Sequence, residues 1–410
     1  MTETATTTIM DLTPFNPVFQ KDPHAILKPL REQCPVMRDE TAGSFVVSRY
    51  ADVRALATDL TLLRNPNLAE AAAVMQRRFA DNDLPGVPRS ESTSILMLDD
   101  PDHARVRGPL AQAFYARVAK CRPQVEAIVD LALDRLEGRP SFDLMAEFCI
   151  PIPIDVIAVI LGVDHERLVE FRDWSEGVIQ GLNAFRNEAQ TAHMERAGEA
   201  LKAYFLQTIA ERRANPQDDL ISDMTRLQAS GAGLSDEELR INLGALLVGG
   251  NLTTTDLIGN GVRLFLLHPE ELAKLRADPA LVNGAVEEIL RFEPPIDITS
   301  RIASRDIEVS GCPVKSSQYM MLSLRGANRD PDQFPDPDRF DISRKRAAHM
   351  AFGGGAHICI GAPLARLEAQ VALARLFARF PTLRLADPDT DPTWRTLPFF
   401  RGLERLDLAV

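Results

Sequence analysis

The chain has no apolar run long enough to cross a bilayer. Its longest, around Leu243–Gly250, is short and ends in glycines, whereas a spanning helix takes about 20 apolar residues. A secretory leader is also missing, since MTETATTTIMDL has neither a basic start nor an apolar stretch. Residues 1–10 read instead as a disordered tail. Basic residues are not in excess: 46 Lys+Arg against 58 Asp+Glu give a formal charge of −12. That argues against generic binding to nucleic acid or an anionic membrane, which both need a basic surface. There is no CxxC pair and no zinc-type histidine spacing. The five cysteines, Cys34, Cys121, Cys149, Cys312 and Cys359, are odd in number and scattered, which suits a reducing cytoplasm and not a disulfide scaffold. Nor is there an internal repeat, a low-complexity block or a Ser/Gly linker. The 410 residues are therefore expected to form one domain, 1–410, acting as a monomer.

What is present is mostly helical periodicity, over 125–138, 197–214, 236–250, 269–279 and 280–295. Ser235 precedes Asp236 and Glu237 as an N-cap, and Pro294–Pro295 end the helix that carries Glu288. Strand-like pieces are few and short: 44–50, 305–311, 319–324 and 403–410, with the middle two expected to pair as a hairpin. Between Ala327 and Ile342 the sequence is crowded with Pro and Asp and predicts an ordered, irregular loop. The fold class is mainly α, with a small β-rich portion.

One stretch demands chemistry. Residues 350–366, MAFGGGAHICIGAPLAR, set a lone cysteine among glycines and ahead of the strongly helix-forming 362–380. A glycine-rich turn around a buried thiol is the plain reading. The sharper one is a thiolate facing a large ligand, with glycines turning amides toward the sulfur and a helix N-terminus beside it.

Phe352, Gly353, Gly355, His357, Cys359 and Gly361 form F-G-x-G-x-H-x-C-x-G. This resembles the haem-binding loop of the cytochrome P450 superfamily. The resemblance implies the fold of that family, haem b (iron protoporphyrin IX) as cofactor, Cys359 as iron ligand, and Phe352, Gly353, His357 and Gly361 against the cofactor. Other motifs agree in order. Glu288 and Arg291 lie three apart on one helix face, close enough to pair; with Arg339 in PDRF they resemble the family's Glu-Arg-Arg lock, a structural device. DDPDHARVRGPLAQAF (99–114) resembles the family helix whose histidine and arginine meet the haem propionates. By that resemblance His103, Arg107, Arg301 and His357 bind them.

LGALLVGGNLTTTDLIG (243–259) is similar to the family's oxygen-activation segment, A/G-G-x-D/E-T-T. Thr253 stands at the threonine that steadies dioxygen, but the preceding acid is replaced by Leu252, which cannot relay a proton. Three explanations stay open: Asp256 feeds a water chain, Asn251 orders waters, or protonation is slow and peroxide leaks. The resemblance implies a monooxygenase that hydroxylates a small hydrophobic substrate (a terpenoid, aromatic or alkyl compound) with O2. Electrons would come from a ferredoxin and its reductase, docking on a basic patch at Arg344-Lys345-Arg346, joined by Arg366. Pocket residues by resemblance come from 171–186, Ala245, Val248, Gly249, Ile296, Ile298 and Phe399 or Phe400. The rival readings are a peroxide-driven haem-thiolate peroxygenase and a haem-free helical binding protein.

Overall fold

Ser235 opens the longest element, the central helix Asp236–Leu267. Its hydroxyl accepts the Glu238 amide at 3.2 Å and Glu238 Oε2 accepts the Ser235 amide at 2.8 Å, a reciprocal cap that satisfies two otherwise orphaned donors. The helix is buried on nearly every side, as befits an element enclosed by others. It packs against Pro151–Leu161, Leu168–Val178, Glu188–Ala214 and Ala362–Arg379. A Cβ on Gly250 would sit 3.0 Å from Ile157 Cγ1, so a glycine there lets two of these helices approach closely.

The computed structural model describes residues 7–79, 88–231, 233–345 and 348–410. The chain is 56% helical, well above the third that is ordinary for globular proteins. The expected helices are found as Arg122–Asp134, Glu188–Ala214, Asp236–Leu267, Pro269–Ala277 and Val282–Phe292. Among the described residues no helix is long and apolar enough to cross a membrane.

The principal sheet runs Val36–Asp39, Ser44–Val47, Tyr319–Ser323, Ile298–Ile302. Its outer pairs are antiparallel, and the central pair, Ser44–Val47 with Tyr319–Ser323, is parallel. The expected hairpin is therefore corrected. Ile307–Val309 pairs with Cys312–Val314 across a tight turn, while 319–323 is claimed by strands that bury its every residue. The expected tail over residues 1–10 is corrected at its last residues. Ile9–Leu12 forms a 3-10 turn with Ile9 and Leu12 buried, and the Ile9 amide donates to Asp39 Oδ2 at 2.7 Å; residues 1–6 lie outside the described residues.

Candidate haem-thiolate site

Two glycines shape the cysteine loop. Gly353 and Gly355 have φ of 69° and 67°, the left-handed region that costs glycine nothing. A Cβ on Gly355 would also meet the Ala57 carbonyl oxygen at 2.6 Å. The Gly353 amide closes a turn onto the Met350 carbonyl at 2.8 Å, and the Cys359 amide returns to the Phe352 carbonyl at 2.9 Å. Gly361 then caps the helix Ala362–Arg379, with Pro363 in its first turn. Crowding by protein atoms pushes the Cys359 thiol up, while the amides of Gly361 and Ala362 and the guanidiniums of Arg107 and Arg366 pull it down. Cys359 nevertheless keeps an exposed surface. A sulfur set among amides and guanidiniums and still reachable at the surface can serve as a ligand.

Cationic groups converge near this loop. His103 and His357 stack with ring centroids 4.1 Å apart, and His103 Nε2 and His357 Nδ1 are buried without a partner. Burial, then Arg64, His103 and Arg301, push His357 down to about 2. Arg301 donates to the carbonyls of Ser300, Ala57 and Gly354, and burial with Arg64 nearby takes it to about 9. Arg107 donates to the Ile358 carbonyl at 2.6 Å. Arg64, which no motif singles out, is buried and held by Leu96 O, Thr299 Oγ1 and Ser300 O. Asp99 and Asp59 are the acids whose charge Arg301 feels. Asp59 pairs with Arg305 at 3.3 Å, Asp100 lies 3.7 Å from His103 Nδ1, and Asp99 accepts the backbone amides of Arg64 and Asn65. A group bearing two carboxylates would complete this cluster, and would give the two orphaned imidazole nitrogens partners. Haem b, with its two propionates, fits.

On the central helix Ala245, Gly249 and Thr253 recur at one-turn spacing and so share a face. All three are at least partly exposed, and nothing lies within 4 Å of a Cβ placed on Gly249. Thr253 donates to Gly249 O at 3.0 Å. Val248 and Leu252 turn into the core. Ile296 bridges to Phe400, whereas Ile298 and Phe399 pack with the cluster around Ile9, Leu12 and Phe19.

Asn251 is placed differently from the sequence reading. Two residues from Thr253 it falls on nearly the opposite side of a helix, where its amide donates to Ser175 Oγ and Leu247 O and its carbonyl accepts from Arg172. It has no face free for ordering waters beside Thr253. Asp256 is fully buried and paired with Arg395, yet its Oδ2 has no partner. Burial pushes its carboxyl up to about 6 against the pull of Arg395 and Arg172.

The lock is corrected in its third member. Arg291 forks onto Glu288 at 2.8 and 2.7 Å, and the two side chains are 2% and 3% exposed. Arg291 also donates to the carbonyls of Asn328, Pro337 and Arg339, stapling the irregular loop. The Arg339 side chain is 63% exposed and only approaches Asp341. Its place is taken by Arg344, whose Nε reaches Glu288 Oε1 at 3.2 Å and whose other nitrogens hold Pro335 O, Asp336 O and Arg339 O. The basic patch loses Arg344 to this lock and Arg366 to Glu287. Lys345 is exposed, and Arg346 lies outside the described residues.

Comparison with known proteins bears on this geometry. The family model "Cytochrome P450" matches residues 51–396. Cytochrome P450 107B1 of Saccharopolyspora erythraea is 39% identical over 404 residues, covering 97% of each chain. The 6-deoxyerythronolide B hydroxylase of the same organism is 34% identical over 408 residues, covering 98% of this chain and 99% of that one. Among solved structures, the myxobacterial cytochrome P450 CYP267B1 in complex with myristic acid superposes with a TM-score of 0.87 at 35% identity, over 97% of this chain and 98% of that one.

Proposed function

The chain belongs to the cytochrome P450 family, and from that premise we propose that Cys359 is the iron ligand of a monooxygenase acting on a hydrophobic organic molecule. It is a cytochrome P450 monooxygenase, and members of the family bind haem b through a cysteine thiolate. The observation that carries the assignment of Cys359 is its glycine-shaped loop beside the guanidiniums of Arg64, Arg107 and Arg301 and two buried imidazole nitrogens without partners. His103, Arg107, Arg301 and His357 would hold the propionates. Bound there, haem b supplies the oxidising chemistry that puts one atom of O2 into a C–H bond. A library screen for compounds that shift the Soret band of the holoprotein tests the substrate class. Apolar hits support it, and hits confined to charged molecules overturn it.

The chain's own contribution lies on the open face. Ala245 and Gly249 leave room for substrate, and the Thr253 hydroxyl, donating to Gly249 O, keeps lone pairs free to accept a proton-bearing neighbour. Asp256 is the proton store: its unpartnered Oδ2 belongs to a carboxyl that exchanges its proton near pH 6. Product formed per NAD(P)H is expected to rise as pH falls through about 6 in the natural protein. In Asp256→Asn it should be pH-independent and lower by about threefold; unchanged coupling removes Asp256 from the relay. Leu252, apolar where the family pattern has an acid, favours a second reading in which hydrogen peroxide drives the reaction. Turnover with peroxide alone, set against turnover with a ferredoxin pair, separates the two.

The similarity to a hydroxylase named for 6-deoxyerythronolide B and to a structure holding myristic acid supports a largely apolar substrate. For the electron donor we favour a ferredoxin reduced by its own reductase. Exposed Lys345 remains on the patch, so Lys345→Glu should slow reduction about threefold at low salt and flatten its ionic-strength dependence. An unaltered rate rules that patch out.

A further inference from the structure

Glu287 stands one residue before the buried lock acid on the helix Val282–Phe292, yet its carboxylate reaches the cysteine loop. Oε1 accepts Arg366 Nε at 2.6 Å and Oε2 accepts Arg366 Nη2 at 3.0 Å, a two-pronged fork of the strong kind. Oε2 also lies 3.2 Å from His349 Nε2. His349 Nδ1 accepts the Ala351 amide at 3.2 Å, so Nε2 is the nitrogen that carries hydrogen and donates to Glu287. Arg366 in turn lies over the Phe352 ring, 4.5 Å from its centroid, and the His349 ring is 5.9 Å from that of Phe352. The Phe352 carbonyl is the acceptor of the Cys359 amide.

One carboxylate thus ties together the chain on both sides of the sulfur: His349, Ala351 and Phe352 before it, and Arg366 after it. The pair is only partly exposed, at 26% for Glu287 and 35% for Arg366. Burial opposes the charge on Glu287, but His349 and Arg366 outweigh it and hold the carboxyl down to about 2. The Glu287 carboxylate is therefore ionised at any working pH. Arg366 stacks on the residue whose carbonyl holds the Cys359 amide, so its charge sits beside the cysteine loop, and Glu287 offsets that charge.

We propose that Glu287, acting through Arg366 and His349, is a positioning residue that fixes the Phe352–Cys359 hydrogen bond and tempers the positive field on the sulfur. This rests on reading Cys359 as the iron ligand. Outer-sphere groups of this kind orient a metal's ligands and tune its potential.

The test uses the holoprotein. In Glu287→Gln the Arg366 charge is left unopposed, so reduction of the iron by a fixed donor should become more favourable, by about fivefold in its equilibrium constant. With the fork onto Arg366 weakened, the loop is held less firmly, and the reduced carbon-monoxide complex should also decay from its thiolate-ligated band to its thiol-ligated band about fivefold faster. Arg366→Met should move the potential the opposite way. Arg366→Lys, which keeps the charge and loses the fork and the stacking, should leave the potential near its natural value and still hasten the decay. Glu287→Gln with both potential and decay unchanged overturns the proposal, whatever its melting temperature. Should that variant not accumulate, an Arg366→Lys protein with natural decay kinetics overturns it equally. A natural protein with no thiolate-ligated carbon-monoxide band sinks the assignment of Cys359 instead.

Discussion

Cys359→Ser is expected to abolish the red-shifted Soret band of the reduced carbon-monoxide complex and to lower monooxygenase turnover by at least about a thousandfold, about 4 kcal/mol of barrier. The backbone should scarcely notice. The Cys359 amide still reaches Phe352 O, and the glycines that shape the loop keep their positive φ. Helical content by circular dichroism should therefore match the natural protein. That separates a lost ligand from a lost fold: a folded Cys359→Ser protein that retained the band would remove the sulfur from the chemistry. Cys34, Cys121, Cys149 and Cys312 serve as controls, because none lies in the glycine loop.

Glu288→Ala carries the second large effect, and it acts on the fold. Arg291 would remain buried, with its fork gone and Arg344 pressed against the same site. Stripping one partner from a buried pair costs about 3–5 kcal/mol, against a total stability of about 5–15 kcal/mol. Most of the holoprotein should fail to accumulate, and any survivor should melt far below the natural protein. The same network ranks two arginines. Arg344→Ala breaks bonds to Glu288 and three carbonyls and should cost about 1–3 kcal/mol. Arg339→Ala trims an exposed side chain and should stay within about 0.5 kcal/mol. Denaturant midpoints of the pair decide the point, and a larger loss in Arg339→Ala would return Arg339 to the lock.

Much of this was legible in the residues because it is local. The glycine loop declares its cysteine, Ser235 declares the start of the central helix, and the three-residue spacing of Glu288 and Arg291 declares their pairing. What stayed hidden depends on where distant segments meet. Arg339 and Arg344 lie five apart in an irregular loop with no period, so no spacing rule tells which one turns inward. Arg64 looks like any lone arginine until strand Ile298–Ile302 and the segment around Leu96 close over it. Asn251 is a different failure. Neighbours in sequence are not neighbours around a helix, and the 3.6-residue turn already sets it away from Thr253.

The parallel pairing of Ser44–Val47 with Tyr319–Ser323 has a consequence for synthesis. On the ribosome the first of these strands emerges long before its mate is made, an interval of roughly 15–55 s at about 5–20 residues per second. Through that time an apolar ribbon, SFVV, waits with one edge unclaimed. Slower translation lengthens the wait and chaperone supply shortens its hazards. Yield in a heterologous host should therefore track chaperone abundance more closely than promoter strength.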